Sequence, residues 1–73
     1  MTERQDAEPQ RTAQRALHSS PVYALRQLRV DCDADLSLRI QGHVSSFYHK
    51  QLAQEAVRAV APGVELINSV DVG

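Results

Sequence analysis

The chain predicts an α+β fold in the order α-β-β-α-β, a two-layer sandwich in which two helices cover one face of a three-stranded sheet. Three observations predict it. Apolar and polar residues alternate with period two across 28–32 and again across 36–40, as half-buried strands require. A helix-period apolar stripe fills 47–61 and stops at Pro62-Gly63. The 73 residues are 42% hydrophobic, enough for one core and too few to fill both faces of a sheet.

Residues 1 to 8 are polar and of mixed charge, which reads as a disordered tail ahead of a single domain over 9–73. Pro9 suits a first helical turn, where no backbone donor is missed. Ala13, Ala16 and Leu17 then form a thin apolar stripe, and Ser19-Ser20-Pro21 ends the helix. Leu28, Val30 and Cys32 alternate with Arg29, Asp31 and Asp33, and Leu36, Leu38 and Ile40 with Ser37, Arg39 and Gln41. Asp33-Ala34-Asp35 between them predicts a hairpin turn. With Cys32 opposite Leu36, Val30 opposite Leu38 and Leu28 opposite Ile40, every apolar residue shares one face. That register also sets Arg29 opposite Arg39 on the outer face. Gly42 predicts either a close backbone approach to a ligand or a bulge that lets the second helix pack closely, and the bulge is the reading taken here. Ser45-Ser46 offers an N-cap, and Leu52, Ala53, Ala56, Val57 and Val60 share the buried face of the helix that follows. The last strand covers 64–72, with Val64, Leu66, Val70 and Val72 in phase and Asn68 interrupting them.

Composition excludes several function classes. Eight basic residues against nine acidic ones give a net charge of −1, whereas nucleic-acid binding asks for a basic excess. A KH-like RNA module also needs a Gly-x-x-Gly loop, which is missing. Aromatics are 4% with no tryptophan, so a stacking platform for single strands is not expected. A lone cysteine, Cys32, allows no intrachain disulfide. No Cys-x-x-Cys or His-x-x-x-His pattern calls for zinc, and no cofactor is expected. Neither a phosphate loop, paired catalytic carboxylates nor Gly-x-Ser-x-Gly occurs, so the expectation is a protein that is not an enzyme. The apolar runs fall far short of the ~20 residues of a membrane span. No apolar segment follows the polar start, which predicts a cytoplasmic protein.

The order of motifs resembles the BON domain family, and within it short stand-alone bacterial, planctomycete-like members. The likeness covers 24–72. It rests on Leu38-Arg39-Ile40-Gln41-Gly42-His43-Val44-Ser45, on Ala53 within Gln51-Leu52-Ala53-Gln54-Glu55-Ala56, on Gly63-Val64, and on Asn68-Ser69-Val70-Asp71-Val72. The stretch from Gly63 to Asn68 is one residue shorter than the family pattern. The resemblance implies an α-β-β-α-β sandwich and a non-catalytic binding role at phospholipid surfaces. It makes Gly42, Ala53, Gly63 and Asn68 motif positions with structural work.

Candidate contact residues follow from chemistry. Arg29 and Arg39 as cross-strand neighbours would repel unless an anion bridged them, which predicts headgroup binding on the open sheet face. Phe47 and Tyr48 are adjacent at the start of a helix, so they cannot both face its core. At least one is exposed, and with Lys50 it would form a tip for a lipid or protein surface. The competing structural reading makes them a staple fixing the start of the helix. His18, His43 and His49 lack the further ligands a metal needs, and Cys32 falls on the core face. The expected partner is an anionic lipid surface or another protein. The alternative is a homo-oligomerising structural adaptor that uses an open sheet edge.

Overall fold

The computed structural model describes the backbone of residues 2–73 and the side chains of residues 8–73. The α+β sandwich is present. Helix α1 spans Thr2–His18 and a 3-10 helix spans Tyr23–Gln27. Strands β1 (Arg29–Cys32), β2 (Leu38–Gln41) and β3 (His43–Val44) follow, then helix α2 (Phe47–Val60) and strands β4 (Leu66–Asn68) and β5 (Asp71–Val72).

One three-stranded sheet has the order β1-β2-β4, and β3 pairs with β5 in a second, two-stranded sheet. β1 is antiparallel to β2, and β4 is parallel to β2. The two sheets are one ribbon with a short break. Leu38 pairs with Leu66, and Val44 with Val72, at the same sequence offset. Between them Ser69 N–H donates to Ile40 C=O and Asp71 N–H to Gly42 C=O, both at 2.9 Å. The parallel ladder therefore continues past Gly42. That glycine has φ +136°, and a Cβ there would lie 2.6 Å from Leu28 Cδ2. The close approach expected at Gly42 comes from Leu28 and not from the second helix.

The hairpin register differs from the sequence expectation. Val30 faces Ile40 and Cys32 faces Leu38, while Arg29 faces Gln41 and Arg39 faces Asp31. The shift of two positions keeps the faces and moves the three-residue loop from 33–35 to 34–36. Leu36 N–H donates to Asp33 C=O at 2.9 Å, and Asp33 N–H to Ser37 C=O at 2.8 Å. Leu36 takes the left-handed conformation, φ 69°, that a three-residue hairpin loop needs after its turn. Leu36 is thus an exposed loop residue and not a member of the core face.

The core is wholly aliphatic. Leu17, Leu25, Leu28, Val30, Leu38, Ile40, Val44, Val57 and Val70 are buried, with Ala13, Ala53 and Ala61 between them. Both helices pack on the Val30–Leu38–Ile40 face, α1 against β1 and α2 against β4, and they pack on each other. Just past α2, the C-cap residue Ala61 completes the buried stripe while Val60 is exposed, which corrects the place given to Val60. α1 is helical from Thr2 with Pro9 inside it, which corrects the expected start at Pro9. The disordered tail expected over 1–8 falls almost wholly on side chains outside the described residues, although the backbone from Thr2 is assigned to the helix.

Candidate contact surface

The three aromatic residues of the chain are all outside the core. Tyr23 is 69% exposed, Phe47 66% and Tyr48 67%. Their elements meet. α2 starts just after β3, and the 3-10 helix packs against both β3 and α2. β1 leaves the 3-10 helix where β2 ends, since Arg29 pairs with Gln41. One end of the molecule therefore gathers the close of α1, the 3-10 helix, β3, the first turn of α2 and β5. Val72 of β5 is the fourth exposed large apolar residue there.

Local chemistry fixes this end. Ser46 caps α2, its Oγ accepting from His49 N–H at 3.2 Å, and α2 has no acidic residue in its first turn. Phe47 and Tyr48 project from that turn, so both are exposed, and neither is held in the core as a staple would be. The rings of Tyr48 and His49 lie 5.8 Å apart and tilted. His49 Nδ1 is buried without a hydrogen-bond partner among the described residues. Arg26 lies one turn after Tyr23 with its guanidinium carbon 5.8 Å from the ring centroid, within cation–π range. Its Nε donates to Ser20 C=O at 2.8 Å. Sequence reading did not single out Tyr23. Its spacing from Arg26 was the available signal, and the 3-10 helix that carries it packs against α2.

The other predicted positions have different settings. Arg39 pairs with Asp33 at 3.2 Å and reaches Ser69 Oγ at 3.4 Å, while Arg29 is exposed one strand away. The Arg29–Arg39 opposition that motivated an anion bridge is absent, because Asp31 stands opposite Arg39. Gln41 donates to Asp31 on the same face. Lys50 is half-buried in α2, and its carbonyl accepts from Asn68 Nδ2 at 3.0 Å. Asn68 also donates to Gln54 Oε1 and accepts from Val70 N–H, both at 3.2 Å, so its amide joins α2 to the last strand. Ala53 is fully buried, and Gly63 occupies an open turn at φ +85°. Cys32 is half-buried with its thiol 3.6 Å from Asp33 C=O.

An open groove of about 330 Å³ runs along α1, lined by Gln10, Arg11, Gln14, Arg15 and His18. Gln10 and Gln14 there are engaged with Val30 of β1. Among the described residues no group of three His, Cys, Asp or Glu could hold a metal ion, and no helix is long and apolar enough to cross a membrane. No family model, no curated protein and no solved structure matches this chain.

Proposed function

We propose that this chain is a non-catalytic binding module whose aromatic end contacts an anionic phospholipid surface. The observation that carries the reading is the exposure of Tyr23, Phe47 and Tyr48 on elements that meet at one end. Burying a large apolar side chain contributes about 1.5–3 kcal/mol, and a domain this small has only roughly 3–5 kcal/mol in all. Leaving every aromatic outside the core forgoes stability that the fold can ill spare, so the end has another use. Tyrosine and phenylalanine with an apolar body suit the headgroup boundary of a bilayer. Arg26 and Lys50 flank them, and each basic residue near an anionic surface contributes about 1 kcal/mol.

The test is co-sedimentation with vesicles of phosphatidylcholine alone and of phosphatidylcholine with phosphatidylglycerol. The expected result is binding to the mixed vesicles only, weakened about tenfold or more by Phe47→Ser with Tyr48→Ser. Tyr23→Ser should weaken it further. No binding to either vesicle, or binding indifferent to all three substitutions, overturns the lipid reading and turns the same end toward a protein partner.

A further inference from the structure

An edge strand presents a row of unpaired N–H and C=O groups that can recruit another strand. The outward-facing groups of Val30 in β1, and the carbonyl of Leu28 just before it, are already taken by side chains of α1. Gln14 Oε1 accepts from Val30 N–H at 2.8 Å, and Gln14 Nε2 donates to Leu28 C=O at 2.9 Å. One turn earlier Gln10 Nε2 donates to Val30 C=O at 2.6 Å. A glutamine amide carries the same donor and acceptor as a peptide group. The two amides thus stand where a neighbouring strand's backbone would be. Helix α1 itself is anchored by Ala13 and Leu17, both fully buried. Freeing the backbone groups of Val30 and the carbonyl of Leu28 asks for rotation of these two side chains.

We propose that Gln10 and Gln14 hold shut a self-pairing edge, and that the occupant it fits is β1 of a second copy of this chain. The argument for that occupant is charge. Antiparallel pairing about a two-fold axis at Val30 makes Val30 and its copy a hydrogen-bonded pair. Arg29 then falls opposite the second copy's Asp31, and Asp31 opposite the second copy's Arg29. These flanking positions are the non-hydrogen-bonded kind, where side chains come closest, and opposite charges there are favourable. Arg29 is exposed and makes no ion pair among the described residues. Gln41 occupies one carboxylate oxygen of Asp31 and leaves the other. A twofold axis satisfies both ion pairs at once, as a self-complementary interface must. The proposal is independent of the lipid reading, because the β1 edge and the aromatic end share no side chain.

Sedimentation velocity over a concentration series tests it. Gln10→Ala with Gln14→Ala should associate to a dimer at least about tenfold more tightly than the unaltered chain, three edge hydrogen bonds having been released. In that background Arg29→Asp should return the protein to monomer, and adding Asp31→Arg should restore the dimer. A well-dispersed amide NMR spectrum certifies that the variant folds. Should the double variant fail to fold, Gln10→Ala alone keeps both Gln14 bonds and should still shift association a few-fold. A folded variant that stays monomeric overturns the proposal, as does a dimer indifferent to Arg29→Asp. So does a monomeric variant that instead captures an added extended peptide, since the occupant is then not a second copy.

Discussion

Leu36 occupies a backbone conformation that glycine or asparagine would normally fill. Its φ of 69° costs an ordinary L-residue about 1–2 kcal/mol, and its side chain is half in solvent with little packing to lose. Leu36→Gly should therefore stabilise the protein by up to about 1 kcal/mol after the extra entropy of glycine is deducted, read from urea denaturation. Gly42 is the converse case. At φ +136° with Leu28 Cδ2 in the way, Gly42→Ala should destabilise by about 2 kcal/mol or more, measured the same way. In the loop beside Leu36, the Ser37 hydroxyl donates to Asp35 at 2.7 Å and the Ser37 N–H at 3.2 Å. The hydroxyl bond first and the backbone bond second hold the Asp35 carboxyl below its ordinary 3.8. A depressed folded value means that the contribution is present above the unfolded value and is lost as pH falls through the folded one. Acid titration of stability below pH 3.8 should thus be steeper in the unaltered protein than in Asp35→Asn. These positions also explain the misread register. The alternation of apolar residues set which face each side chain takes, but no glycine marked Leu36 as the left-handed last residue of the loop.

Elements were legible in proportion to how local their causes are. α2 has its cap at Ser46, its stripe and its Pro62-Gly63 stop within one stretch of chain, and it spans Phe47–Val60, close to expectation. The break between β2 and β3 was announced by Gly42 alone, and its partner Leu28 lies in a distant segment. The glutamine cover on β1 was not legible at all. Bonds from Gln10 and Gln14 to Val30 and Leu28 join two elements, and a glutamine on a helix is an ordinary helix former in any local reading. Val30 N–H should lose hydrogen-exchange protection in Gln14→Ala, a change visible residue by residue in NMR. Asn68 makes the corresponding tie on the other side, from the last strand to Lys50 C=O and Gln54 Oε1. Asn68→Asp removes both donated bonds and sets a carboxylate against two oxygen acceptors. It should destabilise by about 1–3 kcal/mol, more than Asn68→Ala does, in thermal denaturation.

For the molecule as a whole, the α+β sandwich followed from counting apolar residues against faces, and the candidate contact surface followed only in part. Two adjacent aromatics in a helix guaranteed one exposed ring; the exposure of Tyr23 as well, on a 3-10 helix packed against that helix, needed the tertiary arrangement. A core of leucine, isoleucine, valine and alanine has few residues to spare. Ile40→Ala, at a site with no exposure, should cost about 2–5 kcal/mol and leave much of the population unfolded at 25 °C by circular dichroism. The same division of labour has an optical consequence. Tyr23 and Tyr48 are the only strong emitters, since the chain has no tryptophan, and both sit in solvent in the folded state. Intrinsic fluorescence will change little when the core melts and will respond when something settles on the aromatic end. A discrepancy between emission and far-ultraviolet ellipticity during unfolding is then no sign of an intermediate. It reflects where the chromophores are, and the protein carries a label-free reporter for its aromatic end.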